Sequence, residues 1–397
     1  MQRRHLLKLA ATAPLALLST RLLAAPRGNP RLLVVFMRGA YDCNSLLVPA
    51  HSDFYYESRP TIAIAKPGSG TGAALPLADG WALHPALKDT LLPLYQAGEL
   101  AFVPFAGTDD LSRSHFDTQH GIELGRPGRR DNDYRSGFLN RLATQLGQDR
   151  AGPVSFTGDL PQIWRGDFRV PNVDLGGSRR RPGLGARRAD AIESMYRDTE
   201  LAAAVQEGIQ LNAMAQRDLA EEMQKADGKA MPASQLEREA SRIGRFMAGK
   251  YNLGFIDVGG WDTHVGQGGA SGQLANKLGQ LGRALVAYKA ALGPAWRDTT
   301  VVVISEFGRT FRENGNKGTD HGHGTVYWVL GGTVQGGRIA GRQVDVRRDT
   351  LFQDRDYPVL NDYRSLFAGL FGRLYGLDAR RVEQVFPGAR PRDLKLV

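Results

Sequence analysis

Apolar runs that end in reactive side chains constrain this chain more than any other feature. Residues 299–305 (TTVVVIS) are mostly β-branched and read as a buried strand. That run delivers Glu306 into a turn containing Gly308. Similar runs stand at 31–37 (RLLVVFM), 100–105 (LAFVPF), 251–258 (YNLGFIDV) and 325–330 (TVYWVL), with a weaker one at 152–156. Helical periodicity fills the gaps, around 87–97, 274–291 and 361–375. Strands alternating with helices predict an α/β fold with a mostly parallel sheet covered on both faces. With 397 residues, 42% of them hydrophobic, the chain can bury a large core as one large domain or two smaller ones.

Two regions break the rhythm. Residues 157–189 are rich in Gly, Pro and Arg and read as an exposed excursion. Residues 190–249 are polar and helix-favouring and read as a helical insertion, with Pro232 separating two helices. The expected organisation is a leader at 1–25 and a single domain at 26–397, with the insertion at about 157–249.

The leader carries an address. Gln2-Arg3-Arg4-His5-Leu6-Leu7-Lys8 resembles the twin-arginine export motif, followed by an apolar stretch at 9–18 and small residues at 22–25. That stretch is too short to span a bilayer stably. A periplasmic or secreted bacterial protein is expected, with the twin-arginine machinery as a partner. Four basic residues of the leader contribute to the net charge of +10, leaving +6 without it. Arg179, Arg180, Arg181, Arg187 and Arg188 form a second basic block, either a solvated loop or an attraction for anions. No aromatic residues interleave with these arginines, which argues against nucleic acid. Cys43 is the only cysteine, so no intrachain disulfide forms.

Four clusters collect chemistry. Asp42 follows the first run and reads as a metal ligand, or as a turn or N-cap residue. In Arg113-Ser114-His115-Phe116-Asp117-Thr118-Gln119-His120, Ser114 reads as a nucleophile at a helix N-terminus, or as a plain cap. Ser114, Asp117 and Thr118 share a helical face and His115 does not. Asp262 and His264, after Gly259-Gly260, fall on one side of an extended segment. Asp320, His321 and His323 lie among glycines that let a loop wrap an ion. Imidazole with carboxylate suits zinc, manganese or iron. Arg309, three residues beyond Glu306, reads as a bidentate partner for a bound oxyanion or for a buried carboxylate. Each cluster adjoins a predicted strand, so the clusters converge on one sheet edge.

The set FMRGAYDCNSLLVPA, SHFDTQH, GGWDTH, SEFGRT and GTDHGHG, behind a twin arginine, resembles the domain-of-unknown-function fifteen-oh-one family. That family is placed in the alkaline phosphatase/sulfatase-like superfamily, and the resemblance covers nearly the whole mature chain. It implies a three-layer α/β/α sandwich, alkaline phosphatase-like, with a mononuclear or dinuclear metal centre. Asp42 resembles the superfamily's first aspartate, and Ser114 falls near its nucleophile in chain order. Asp262 and His264 resemble its Asp…His pair, with one intervening residue rather than three. Glu306 and Phe307 stand where a strand normally ends in Asp-His, and phenylalanine cannot bind metal. His321 or His323 then fills the gap, or one metal position is lost. Cys43 does not match the modified nucleophile of sulfatases.

The resemblance implies an exported, metal-dependent hydrolase or transferase of phosphate or sulfate esters. A divalent metal, zinc or manganese, would be held by residues among Asp42, Asp262, His264, Glu306, Asp320, His321 and His323, with Ser114 and Arg309 catalytic. The substrate would be an anionic small molecule or a glycan ester. The alternatives are a non-catalytic binding protein on a decayed hydrolase scaffold and an oxidoreductase using the same ligands.

Overall fold

The computed structural model describes residues 30–127, 134–175, 186–210, 213 and 235–397. The twin-arginine segment, Arg179 to Arg181 and Pro232 lie outside the described residues. The strands are β1 (Arg31–Met37), β2 (Leu47–Val48), β3 (Leu75–Pro76), β4 (Ala82–Leu83), β5 (Leu100–Gly107), β6 (Pro153–Ser155), β7 (Leu253–Val258), β8 (Thr299–Ser305), β9 (Thr325–Leu330), β10 (Arg338–Ile339) and β11 (Asn361–Asp362). The main sheet runs β10-β5-β9-β8-β1-β7-β6, with β11 also on β5, and β2-β4-β3 form a small antiparallel sheet.

β1 pairs parallel with β7 and β8, at the centre of the sheet. Its side chains alternate between two cores, as the period of a strand requires. Leu33, Val35 and Met37 join α4 (Gln235–Ala248) and α5 (Gln273–Leu292) on one face. Leu32, Val34 and Phe36 join α3 (Phe138–Leu146), α6 (Tyr363–Tyr375) and α7 (Ala379–Val385) on the other. The result is a three-layer α/β/α sandwich. Burial on both faces explains why the strands read as continuous apolar runs.

The sheet is mostly parallel, as expected, with one reversed strand, and two other expectations change. β9 is antiparallel to both neighbours, β5 and β8. The span 157–175 is not an exposed excursion, because Ile163, Trp164, Val170 and Val173 are buried. α4, within the span read as a helical insertion, is a core helix. Its Ala240, Ile243, Phe246 and Met247 are buried, and a side chain at Gly244 would collide with Ala291 and the Tyr288 carbonyl of α5. Among the described residues no helix is long and apolar enough to cross a membrane.

Asp42 is spent on the fold rather than on a metal. It caps α1 (Cys43–Leu46) and forms a fully buried bidentate pair with Arg59, at 2.5 and 3.0 Å. Ser45 Oγ and Gln267 Nε2 donate to the same carboxylate, each at 2.7 Å. Arg59 also donates to the carbonyls of Phe311 and Thr310, and Gln267 accepts from Thr263 and Thr319. One ion pair thereby ties together the loops leaving β1, β7 and β8. Neighbouring Cys43 is a buried filler whose thiol is pushed up to about 12, chiefly by burial.

Burial works against the charge on Asp42, but Arg59 outweighs it and holds the pKa below the ordinary 3.8. The pair's contribution is therefore complete above the unfolded value and drains as pH falls through the lower native value. Arg59→Leu leaves a buried carboxylate uncompensated and should cost about 3–5 kcal/mol in urea unfolding at neutral pH. Adding Asp42→Leu should recover a large part of that loss.

Candidate metal centre

Four loops meet at the carboxyl edge of the sheet. β5 runs into a turn and then α2 (His115–Leu124), whose first residue is His115. β7 leads to Asp262 and His264, and β8 to Glu306. Because β9 runs backwards, the segment 306–324 leaves and re-enters the sheet at this same edge. It doubles back as a short ribbon, with Gly308 N–H donating to the His323 carbonyl and Thr310 N–H to the Asp320 carbonyl. Gly322 permits that fold, since a Cβ there would lie 2.5 Å from Arg309 backbone atoms. His321 is thus delivered opposite Arg309.

Three imidazoles point their Nε2 atoms toward one place. His115 Nε2 and His264 Nε2 each lie 3.0 Å from His321 Nε2. Asp262 completes the group, with Oδ1 2.9 Å from His264 Nε2 and 3.4 Å from His321 Nε2, and Oδ2 3.6 Å from His115 Nε2. The ligand atoms of His115, Asp262 and His321 all lie within 4.8 Å of one another.

The other nitrogen of each ring faces an acceptor. His115 Nδ1 meets Glu306 Oε1 at 2.8 Å, His264 Nδ1 meets Asp320 Oδ1 at 3.1 Å, and His321 Nδ1 meets the Arg113 carbonyl at 2.9 Å. With an ion among the Nε2 atoms, each Nδ1 would keep its proton and each Nε2 would offer a lone pair. Lone pairs 3.0 Å apart repel unless a cation lies among them. Nitrogens around a tetrahedral ion with bonds of about 2.0–2.1 Å stand roughly 3.3 Å apart, close to this spacing. The donor set fits a bound metal ion.

The surrounding groups prepare the ligands. The bond to Glu306 raises the pKa of His115 despite burial, making it a stronger donor. Burial lowers that of His321 and favours the neutral ring. Burial works against the charge on Asp262, but Arg309 outweighs it and keeps the carboxylate ionised. Burial likewise opposes the charge on Glu306, yet bonds from His115, Gln119 and Gly39 hold its pKa below the ordinary value. Arg113 adopts a left-handed φ of 52°, a strained conformation that presents its carbonyl to His321. Gly39, at φ 115°, donates its N–H to Glu306 at 2.7 Å, and a Cβ there would lie 2.8 Å from Asp262 N.

The expected site residues therefore separate. Asp262, His264 and His321 come together as candidate ligands. Glu306 and Asp320 instead hold the Nδ1 atoms of His115 and His264. His323 lies apart, packed against Phe352, its pKa lowered to about 4 chiefly by burial. Arg309 is fully buried and is not aimed at a substrate oxyanion. It donates to the carbonyls of Gly39, Ala40, Trp261 and Thr319 and to Asp262. Ser114 caps α2, accepting from Asp117 N–H at 3.4 Å.

His115 is a candidate ligand that the sequence motifs did not mark. The stripe examined in α2 held Ser114, Asp117 and Thr118, but the inward stripe is His115, Gln119 and Glu123. A polar residue at every fourth position of a helix beginning beside a strand end was the available signal. Phe307 stacks against the His115 ring at 5.0 Å and lies 5.2 Å from that of His321, so it buttresses the imidazoles.

Fold and site define a three-layer α/β/α protein with a histidine–carboxylate centre at the carboxyl edge of its sheet. The chain belongs to the family described as Protein of unknown function (DUF1501), whose profile matches residues 29–386. The family expected from the motifs is therefore the one found. Among solved structures, the chain is similar to a protein in the alkaline phosphatase superfamily from Vibrio parahaemolyticus. That match has 12% identity and a TM-score of 0.44, covering 94% of this chain and 72% of the other. Ps i-CgsB, solved also in complex with k-i-k-neocarrahexaose, matches at 11% identity and a TM-score of 0.36, covering 91% and 75%. No curated protein matches the sequence.

Glu306→Gln keeps the shape but removes the charge behind His115. Zinc affinity, measured by chelator competition, should fall about 10–100-fold. An unchanged affinity would show that Glu306 does not tune a ligand.

Proposed function

We propose that this chain is a metal-dependent hydrolase or transferase acting on phosphate or sulfate esters. The observation that carries the reading is the convergence of three Nε2 lone pairs with Asp262, each ring locked by its own acceptor. His115, Asp262, His264 and His321 would hold the ion. Zinc and manganese both suit this mixture of imidazole and carboxylate. A bound divalent ion supplies charge stabilisation to the transferring group and acidifies an attacking hydroxyl.

The centre is open on one side. The side chains of Asp262 and His264 are 43% and 39% exposed, which leaves room for a ligand from solution, as catalytic centres require and structural ones do not. A cation at the edge of a chain whose net charge is +6 without its leader favours an anionic substrate. Ser114, at the N-terminus of α2 and adjacent in sequence to His115, is the hydroxyl this reading assigns to attack. Arg309 acts by fixing Asp262 and the loop carbonyls. Export through the twin-arginine pathway to the periplasm or beyond belongs to the same reading, as do the single domain and its insertion.

Elemental analysis of the purified protein, with assays on aryl phosphates and aryl sulfates before and after chelation, tests the proposal. Bound zinc or manganese, and turnover that chelation abolishes and the metal restores, are expected. His321→Ala should cost about 100-fold or more in turnover, exceeding the loss of an outer partner. Protein without metal, or turnover indifferent to chelation, sinks the reading. Metal binding with no turnover on either ester class would favour the non-catalytic binding protein.

A further inference from the structure

The inner stripe of α2 reaches beyond its ligand. Arg38, the residue after β1, faces the same stripe. Its Nη1 donates to Gln119 Oε1 at 2.9 Å, its Nη2 to Glu123 Oε1 at 2.8 Å and its Nε to Asp257 Oδ2 at 2.7 Å. Gln119 Nε2 in turn donates to Glu306 Oε1 at 2.7 Å, the oxygen that accepts from His115 Nδ1. A guanidinium has donors only, so the Gln119 oxygen must face Arg38 and its NH2 must face Glu306.

Glu306 needs that help. It is fully buried, and its partners are Gly39 N–H, Ser305 Oγ, Gln119 and His115, none of which carries a permanent charge. A buried carboxylate in such surroundings depends on well-oriented dipoles. Among the described residues, the guanidinium joined to it through a single side chain is that of Arg38.

We infer that Arg38 is a positioning residue for the His115 ligand, acting through the amide of Gln119 and the carboxylate of Glu306. The inference rests on the proposed metal centre. Arg38 locks the amide, the amide steadies the carboxylate, and the carboxylate keeps the proton on Nδ1 with Nε2 free for the ion. The competing role is purely structural, a staple between β1, β7 and α2 through Glu123 and Asp257. The two differ in what each partner controls. Only the Gln119 bond should reach the ligand.

The test uses the full chain with its metal removed, then titrated with zinc against a chelator and with cobalt for its visible absorption spectrum. Arg38→Ala and Gln119→Ala should each weaken zinc about tenfold and alter the cobalt spectrum, and the double variant should lose no more than about either alone. Asp257→Asn, which removes a staple but not the relay, should leave affinity and spectrum as in the wild type. The Tm of the metal-free forms reads the structural role separately. Arg38→Ala with a lower Tm but wild-type affinity and spectrum overturns the inference while leaving the metal centre standing. A wild-type protein that binds neither metal overturns the centre, and the role of Arg38 with it. Should Arg38→Ala fail to fold, Gln119→Ala and Arg38→Lys carry the same comparison, because one ammonium cannot hold Gln119 and Glu123 together.

Discussion

The edge of the sheet depends on the buried guanidinium of Arg309. The loops leaving β1, β7 and β8 turn backbone carbonyls inward where water cannot reach them. Each such group left unpaired costs about 1–3 kcal/mol. Arg309 satisfies Gly39, Ala40, Trp261 and Thr319 at once, a task that suits five donors in a rigid fork. It also anchors Asp262, whose other contacts are the three histidines. A fixed cation beside a metal centre would repel the ion without a carboxylate between them. Asp262 pairs with Arg309 and lies beside the three histidines, so it would serve the fold and the proposed centre with the same charge.

Strand direction decides what can meet there. Had β9 continued parallel, the segment 306–324 would have crossed to the far edge before the strand began. Its reversal lets one loop supply both Glu306, at its start, and His321, near its end. The Asp42–Arg59 pair and Gln267 then tie this loop to those leaving β1 and β7. A surface-exposed pair would be worth little, but complete burial makes its geometry obligatory.

The strands were legible because both faces of the sheet are buried, which concentrates β-branched residues into unbroken runs. β1, β8 and β9 occupy the stretches that those runs mark. Asp262, His264 and His321 were legible because they lie in glycine-bearing loops beside strands. His115 was not, because a candidate ligand on a helix is marked only by spacing along a face, and Ser114, Asp117 and Thr118 mark a different face. The N-cap role of Asp42 was legible, but its ion pair was hidden because its partner, Arg59, sits in a segment with no pattern of its own. The direction of β9 was also hidden, since parallel and antiparallel strands buried on both faces read alike. His323 looked equivalent to His321 by spacing, yet a bend at His323 breaks the alternation of an extended segment, and its ring packs against Phe352.

In the proposed centre, Phe307 would mark a ligand position given over to packing. The resemblance leads one to expect histidine there, directly after the carboxylate that ends β8. Phenylalanine removes a ligand but keeps a ring of similar breadth, and that ring lies against His115 and His321. The imidazole count is met from α2, whose first turn presents His115 across the gap. Glu306, in the place of a ligating aspartate, then has no metal to bind and instead accepts the proton of the new ligand's far nitrogen. The two departures make sense only together. A histidine imported from a helix needs an acceptor for its Nδ1 and a wall to set its ring, and Glu306 and Phe307 supply one each.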